Sequence, residues 1–270
     1  MKLRLLSTSV ALPIVIAATF LGGIWFTALI AFGAIVAGYE MAHMLRLRHI
    51  SARPRVSALI SGTLVIGSFI LILLDKFLLF FSIICIPTTI LSVIWIALAR
   101  SPGKYGNLSI IGTLASGLYI GGFLSHAPLM RESEKGLEWV LFLLLVTILT
   151  DTGAYAIGKS FGKHALYPKI SPSKTVEGAV AGVICAAIGS LAAGIVIKEL
   201  DLSISLSVCL GLMLSVGAQG GDLYESALKR LSNLKDSGNL IPGHGGALDR
   251  LDSIVFNLGL LYYFVQWTGT

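Results

Sequence analysis

Charged side chains that could bind phosphates and a metal ion are concentrated in residues 226–252 of a chain that is otherwise mostly apolar. The cations of this segment, which can neutralise phosphate oxygens, are Lys229, Arg230, Lys235 and Arg250. Its glycines, which let backbone amides approach an anion closely, include Gly243, Gly245 and Gly246. Because the segment also carries carboxylates that can bind a divalent metal, it predicts phosphoryl or nucleotidyl transfer beside a bilayer.

Two acids mark the start of the last predicted helix. Asp249 and Asp252 are three residues apart and therefore share one helix face. One Asp at a helix amino terminus is ordinary capping. Two, with Asp222 at the end of the preceding span, favour Mg²⁺, which takes oxygen ligands and shares them with substrate phosphates. His244 is open to three roles: acid or base, phosphate donor, or structural hydrogen-bonding group.

A second polar block begins at Asp151, directly after an apolar run. A carboxylate buried unpaired at the membrane boundary costs roughly several kcal/mol, so it usually has a partner or a function. The alternative is a helix-end Asp that extends to water. Lys174 and Glu177 follow in the same predicted cytoplasmic loop, and we expect them to complete a polar cavity together with Asp151.

The composition predicts the fold class. Of the 270 residues 55% are hydrophobic and 13% are charged, and the mean hydropathy is +0.86. These values predict an all-α, polytopic integral membrane protein with about nine transmembrane helices and a polar cavity open to the cytoplasm. The apolar runs are 11–21, 25–44, 56–74, 77–98, 108–124, 137–150, 176–197, 203–218 and 254–267.

No linker or repeat divides the chain, so we predict a single membrane domain over 1–270. Within it, 1–125 is a hydrophobic helical front half and 137–270 carries the catalytic loops. G-x-x-x-G spacings at 117–121 and 178–182 permit close helix contacts, and a homodimer stays open. In the front half, Glu40 and His43 share a helix face, and we interpret them as a helix-end pair.

The basic residues predict the orientation. With the amino terminus inside, only four of the twenty Lys and Arg fall in outer segments: Lys76, Arg131, Lys135 and Lys198. The active site would therefore face the cytoplasm from a bacterial-type inner membrane. The net charge of +6 reflects this topology and anionic lipid headgroups rather than nucleic acid, for which no motif is present. The cluster Arg46, Arg48, Arg53 and Arg55 either contacts lipid phosphates or simply fixes the topology, and we favour topology.

The two polar blocks resemble a known family. The resemblance is carried by Ser226-x-Leu228-Lys229-Arg230, Lys235-Asp236-x-Gly238, Pro242-Gly243-His244-Gly245-Gly246, Asp249-Arg250-Leu251-Asp252-Ser253, Asp151-x-x-Ala154-Tyr155 and Ser171-Pro172-Ser173-Lys174-Thr175-x-Glu177-Gly178. These motifs are similar to those of phosphatidate cytidylyltransferase, also called CDP-diacylglycerol synthase. The resemblance implies Mg²⁺-dependent attack of the phosphate of phosphatidic acid on the α-phosphorus of CTP. The products would be CDP-diacylglycerol and pyrophosphate.

The residue roles follow as expectations. Candidate catalytic residues are Asp249, Asp222, Lys235 and His244. Candidate substrate-binding residues are Lys229, Arg230, Arg250, Lys174, Ser226, Gly245 and Gly246. Candidate metal ligands are Asp222, Asp249, Asp252 and Asp151, with a second metal or a monovalent cation left open.

Two rival functions stay open at this point. A transporter also uses acids and broken helices inside the membrane, but it would place them near the midplane in both halves of a repeat. An enzyme that uses another lipid phosphate would share the same charges. The sequence places the acids at predicted cytoplasmic helix ends, which favours the enzyme.

Overall fold

The computed structural model describes residues 2–48, 50, 52–73, 106–238 and 245–268, and most of these residues are helical. They form two compact units. The first comprises Met1–Glu132 with Leu228–Leu251, and the second comprises Ser133–Ala227 with Asp252–Thr270. That the whole chain is one domain stays a prediction.

The first unit is built from closely packed apolar helices. Its helices before residue 132 are α1 (Lys2–Leu21), α2 (Gly23–Leu47), α3 (Pro54–Leu73), α4 (Gly106–Leu124) and α5 (His126–Arg131). Small residues let α2 and α4 approach α3: Ser57 Oγ donates to the Gly38 carbonyl at 2.9 Å, and Ser61 Oγ donates to the Gly117 carbonyl at 3.1 Å. A Cβ atom on Gly121 would lie 2.6 Å from the Ser61 Cα. The first G-x-x-x-G spacing therefore packs α4 inside the unit.

The second unit contains the helices that carry most of the acids. Its elements are α6 (Gly136–Phe161), β1 (Ala165–Tyr167), β2 (Ser171–Thr175), α7 (Val176–Val196), a 3-10 turn (Lys198–Leu200), and parts of α8 (Ile204–Leu231) and α9 (Leu248–Thr268). The two short strands pair antiparallel, an addition to the predicted all-helical fold. Thr175 then caps α7, because its hydroxyl accepts from the Gly178 N–H at 3.1 Å.

Six helices of the described residues are long and apolar enough to cross a bilayer, as expected of a multi-pass membrane protein. They are Gly23–Leu47, Pro54–Leu73, Ser109–Arg131, Gly136–Phe161, Val176–Val196 and Ile204–Leu231. Each overlaps one of the predicted apolar runs, and two of them, Gly23–Leu47 and Gly136–Phe161, contain the whole run. The run 77–98 lies outside the described residues, and a total of nine spans stays a prediction.

Candidate active site

The site in the second unit depends on a helix that does not end where a helix terminus was expected. Gly220 and Gly221 come before Asp222 and suit a helix end, yet α8 continues unbroken to Leu231. A glycine inside a helix costs only about 1 kcal/mol relative to alanine, which packing readily offsets. Residues 222–231, which lie beyond the predicted apolar run 203–218, are therefore the last turns of α8.

At Gly221 the helix α8 lies directly against the backbone of α9. A Cβ atom built on Gly221 would overlap the backbone carbonyl of Asp252, whereas one built on Gly220 would meet no atom within 4 Å. One helical turn further along α9, Asn257 Nδ2 donates to the Leu214 carbonyl of α8 at 2.7 Å. The missing side chain at 221 thus allows the backbone of α9 to lie directly against α8.

This close approach brings three carboxylates together. One oxygen from each of Asp222, Glu225 and Asp252 lies within 4.8 Å of the other two. Asp222 and Glu225 share a face of α8 because they are three residues apart. Glu225 is only 2% exposed, and the two aspartates are half-buried. Three like charges at this separation repel one another strongly unless a cation or proton is bound. We call this group the acid cluster.

A lysine from another element already faces the acid cluster. Lys174 Nζ, at the end of β2, lies 2.5 Å from Asp222 Oδ2. The side chain of Lys174 is 27% exposed and that of Asp222 is 31% exposed. Ser226 Oγ lies 3.5 Å from Asp222 Oδ1, and Asp151 of α6 interacts electrostatically with both Asp222 and Lys174. The second unit therefore gathers five predicted site residues: Asp151, Lys174, Asp222, Ser226 and Asp252.

Glu177, the remaining acid of the second block, has a local structural role. Its Oε2 accepts from the backbone N–H groups of Lys163 and His164 at 3.1 and 3.2 Å. Its Oε1 lies 2.6 Å from His164 Nδ1. These contacts hold the turn that leads from α6 into β1.

The first unit contains a separate network around Glu40 of α2. Glu40 Oε1 accepts from the Ala247 N–H at 3.1 Å, and Oε2 accepts from the Leu248 N–H at 2.9 Å. Ser237 Oγ lies 2.9 Å from the same Oε2. Glu40 is 6% exposed and satisfies amide groups at the start of α9. Glu40 was expected to form a helix-end pair with His43. Instead, its buried carboxylate caps the start of α9, a helix distant in sequence.

Asp249 completes this network, which we call the Glu40 network. Asp249 Oδ2 accepts from the Ser237 N–H at 2.9 Å and the Gly246 N–H at 2.8 Å. Its Oδ1 lies 2.7 Å from Lys229 Nζ, and the two side chains are 9% and 13% exposed. Asp249 and Lys229 were predicted to bind a metal and a phosphate, respectively. In this structure they form a largely buried ion pair, and their roles toward ligands stay predictions.

Two glycines make room for the buried carboxylates. A Cβ atom on either Gly238 or Gly246 would overlap the Glu40 carboxylate. Gly245 has a φ of 85°, in the left-handed region that favours glycine, and its Cβ position would lie 2.5 Å from Asp249 Oδ2. Gly245 and Gly246, which were expected to let amides approach a phosphate, instead lie against the carboxylates of Asp249 and Glu40.

The other predicted residues are at the surface or outside the described part. Arg230, Lys235 and Arg250 have exposed side chains, and Arg230 Nη1 donates to the Leu234 carbonyl at 3.2 Å. His244 lies outside the described residues. Three cations are thus accessible to a polyanionic substrate, which is consistent with their predicted role.

Two acids of these networks were missing from the predicted site. Glu225 could have been found from its i+3 spacing to Asp222, had α8 been continued past the two glycines. Glu40 carries a weaker signal, because an acid within an apolar span favours function in general but does not identify its partner.

Comparison with known proteins decides the family. The model of the cytidylyltransferase family matches residues 2–268 of this chain. This chain belongs to the cytidylyltransferase family. Similar members are proteins named phosphatidate cytidylyltransferase from Staphylococcus saprophyticus, with 38% identity over 271 residues, and Staphylococcus aureus, with 35% identity over 270 residues. Each alignment covers 97% of this chain and 97% of the relative.

The family match includes both units, so the acid cluster and the Glu40 network lie inside the matched region. A relative from Staphylococcus epidermidis with the same name is 34% identical over 266 residues. The sequence resemblance, which rested mainly on the carboxy-terminal half, is confirmed at the level of the family and extends over the front half as well.

Proposed function

We propose that this protein transfers a cytidylyl group from CTP to phosphatidic acid in phospholipid biosynthesis, releasing pyrophosphate. Family membership supports an enzyme over a transporter, and the names of the relatives support phosphatidate as the acceptor. The observation that carries the proposal is the acid cluster, which gathers three carboxylates beside a lysine. Such an arrangement suits a reaction in which two polyanions must be held together.

The acid cluster fits a magnesium ion. Its three oxygen donors lie close enough to one another to bind one ion, and Mg²⁺ prefers oxygen ligands. Asp222, Glu225 and Asp252 would hold the ion, with Asp151 as a nearby fourth acid. Bound there, Mg²⁺ would neutralise charge on the phosphates and allow two anions to approach. A second metal or a monovalent cation belongs to the same proposal.

The side chains of the protein would mainly align the substrates. An oxygen of the lipid phosphate forms a bond to the α-phosphorus of CTP, and the bond from that phosphorus to the β-phosphate oxygen breaks. The nucleophile is already an anion, so the protein does not need to form a covalent intermediate. Lys174 would exchange its contact with Asp222 for a substrate phosphate, because an ammonium group can bind either anion.

The exposed cations would bind the remaining phosphate oxygens. Arg230, Lys235 and Arg250 have accessible side chains, and Lys229 would contribute if its ion pair with Asp249 opens. Asp249, Asp222, Lys235 and His244 stay our catalytic candidates. Ser226, Gly245 and Gly246 stay candidates for substrate contacts.

The membrane arrangement is part of the proposal. The six described apolar helices support a multi-pass membrane protein. We propose nine spans in a bacterial inner membrane, with a polar cavity that opens to the cytoplasm. The supply of CTP on that side and the distribution of Lys and Arg both support this orientation. A homodimer is compatible with it.

The decisive experiment is turnover by the purified full-length protein in detergent. We expect a lipid-soluble cytidine product from radiolabelled CTP, phosphatidic acid and Mg²⁺, and none when either the lipid is omitted or EDTA is added. Formation of product at an undiminished rate in EDTA would overturn the metal proposal. No product from phosphatidic acid, but product from another lipid phosphate, would overturn the proposed acceptor.

Metal binding can be measured without turnover. Because a ligand that binds only the folded state stabilises it, Mg²⁺ at about 100 times its dissociation constant should add about 2.7 kcal/mol to the free energy of unfolding. We expect the thermal midpoint to rise with Mg²⁺ in the wild-type protein. The rise should disappear in Asp252→Asn, which removes one charged ligand and retains the shape of the side chain.

A further inference from the structure

A basic cavity of about 840 Å³ lies beside the connection between α2 and α3 in the first unit. Three arginines line it, Arg46, Arg53 and Arg55, together with Tyr39. No acid lines the cavity among the described residues, and none of the three guanidinium groups forms an ion pair there. Three like charges therefore surround one space, and no carboxylate in the part of the chain that the structure describes pairs with them.

Helix electrostatics explain only one of the three arginines. Arg46 is in the last turn of α2, where a cation is stabilised by the helix dipole. Arg53 directly precedes α3 and Arg55 is its second residue, and the first turn of α3 contains no acid. Cations are disfavoured at a helix amino terminus, whereas an anion is favoured there. The charges of α3 and of the arginines thus point to an anion in the cavity.

The surroundings indicate that this anion belongs to a lipid. Next to the cavity, Leu47, Val56 and Leu59 are 47%, 41% and 66% exposed, as expected for side chains that face acyl chains. Tyr39 is 44% exposed and has an aromatic ring with a polar tip, a combination typical of the membrane interface. A free nucleotide has no acyl chains that could contact the adjoining apolar surface.

We propose that this cavity binds the phosphomonoester headgroup of a bilayer lipid. A phosphomonoester is close to doubly charged at neutral pH and offers three terminal oxygens, which matches several guanidinium donors. The site is separate from the acid cluster in its residues. That the acceptor lipid docks in this cavity before it reacts rests on the proposed function. That the cavity binds the lipid does not rest on the proposed function.

Photo-crosslinking of the full-length protein tests this site directly. The probe is phosphatidic acid with a photoreactive group near the headgroup, in phosphatidylcholine nanodiscs that contain EDTA and no CTP. We expect label on the segment 39–56, displaced by unlabelled phosphatidic acid. In Arg53→Gln and Arg55→Gln, labelling of this segment should require about tenfold more probe, because a charge-assisted contact is lost.

The chain offers a matched control in Arg48, an exposed residue of the same connection that does not line the cavity. Arg48→Gln removes the same charge from the same loop and should leave labelling unchanged. Arg53→Lys keeps the charge that topology requires but loses the planar guanidinium group, and it should weaken labelling less than Arg53→Gln.

Several outcomes would overturn the proposal. These are equal labelling in Arg53→Gln and the wild type, equal weakening by Arg48→Gln, and displacement by diacylglycerol or inorganic phosphate as effective as by phosphatidic acid. Equal displacement by phosphatidylglycerol would overturn the assignment to a phosphomonoester. Because neither metal nor CTP is present, labelling that persists in a protein without turnover would separate this site from the proposed reaction.

Discussion

In the first unit, the carboxylates of Glu40 and Asp249 accept hydrogen bonds from backbone amides, and Asp249 also forms an ion pair with Lys229. In the second unit, Asp222, Glu225 and Asp252 turn carboxylate oxygens toward one another. A carboxylate that receives several donors stabilises the fold. Carboxylates that face one another repel, and a cation beside them, such as Lys174 at Asp222, reduces that repulsion. The comparison thus separates acids that cap and pair within the fold from a cluster of acids that we propose binds a metal ion.

The largest difference should appear in catalysis. We expect Asp222→Asn to lower turnover roughly 100-fold or more, because charge stabilisation by a metal contributes several kcal/mol to such a reaction. The measurement is product formation at saturating CTP and Mg²⁺. Asp201→Asn is the control, since Asp201 is exposed and has a φ of 47°, a conformation that Asn adopts readily. Equal losses in both variants would refute the role of Asp222.

The helix crossing provides the next test. Gly221→Ala should destabilise the protein by about 3 kcal/mol and lower Mg²⁺ affinity, because the new Cβ pushes Asp252 away from the cluster. Gly220→Ala, one residue earlier, meets open space and should be neutral or stabilising by up to about 1 kcal/mol. Thermal unfolding with and without Mg²⁺ measures both effects. Identical behaviour of the two variants would contradict the close approach.

The Glu40 network should respond in stability. Glu40→Gln should cost about 2 kcal/mol, because an amide cannot accept all the hydrogen bonds that the carboxylate accepts from Ala247, Leu248 and Ser237. The measurement is thermal unfolding in EDTA, where metal binding makes no contribution. Glu134→Gln, at an exposed position, should change stability by less than about 0.5 kcal/mol. If Glu40→Gln is as stable as this control, the Glu40 network does not stabilise the fold.

The smallest expected effect is a gain in stability, opposite in sign to the losses expected for Gly221→Ala and Glu40→Gln. Glu225→Gln removes one of three mutually repelling charges, so in EDTA it should raise the free energy of unfolding by up to about 1 kcal/mol. Mg²⁺ should then stabilise this variant less than the wild type. A loss of stability in EDTA as large as that of Glu40→Gln would erase the distinction between the two groups of acids.

Much of the fold follows from the sequence. Long apolar runs must form helices in a bilayer because each backbone group then finds its partner within the segment. The run 176–197 accordingly becomes α7, Val176–Val196. The short β1–β2 pair was missed, because three- and five-residue strands lie between helices in a polar segment and leave no clear alternation.

The candidate site was predictable in part. Asp222 and Asp252 were identified from their residue type and their positions at predicted helix ends, and Lys174 from its place in a predicted cytoplasmic loop. The structure brings the three together. Glu225 was missed because the predicted span ended at residue 218, so Glu225 was not placed on the same helix as that span and Asp222. Glu40 was misinterpreted because its partners, Ala247 and Leu248, are some 200 residues away in sequence, at separations of 207 and 208 residues.

By itself, the sequence determined that the chain has the apolar composition of a membrane protein and where most of its helices lie, because both depend on local hydropathy. It also determined the family, because the motifs that identify the family are contiguous in the chain. Only the tertiary structure decided which acids face one another and which accept hydrogen bonds. That choice depends on where helices cross, and at Gly221 the crossing is possible because one side chain is absent. The distances between residues on different helices depend on how the helices pack, and they cannot be read from the order of residues along the chain.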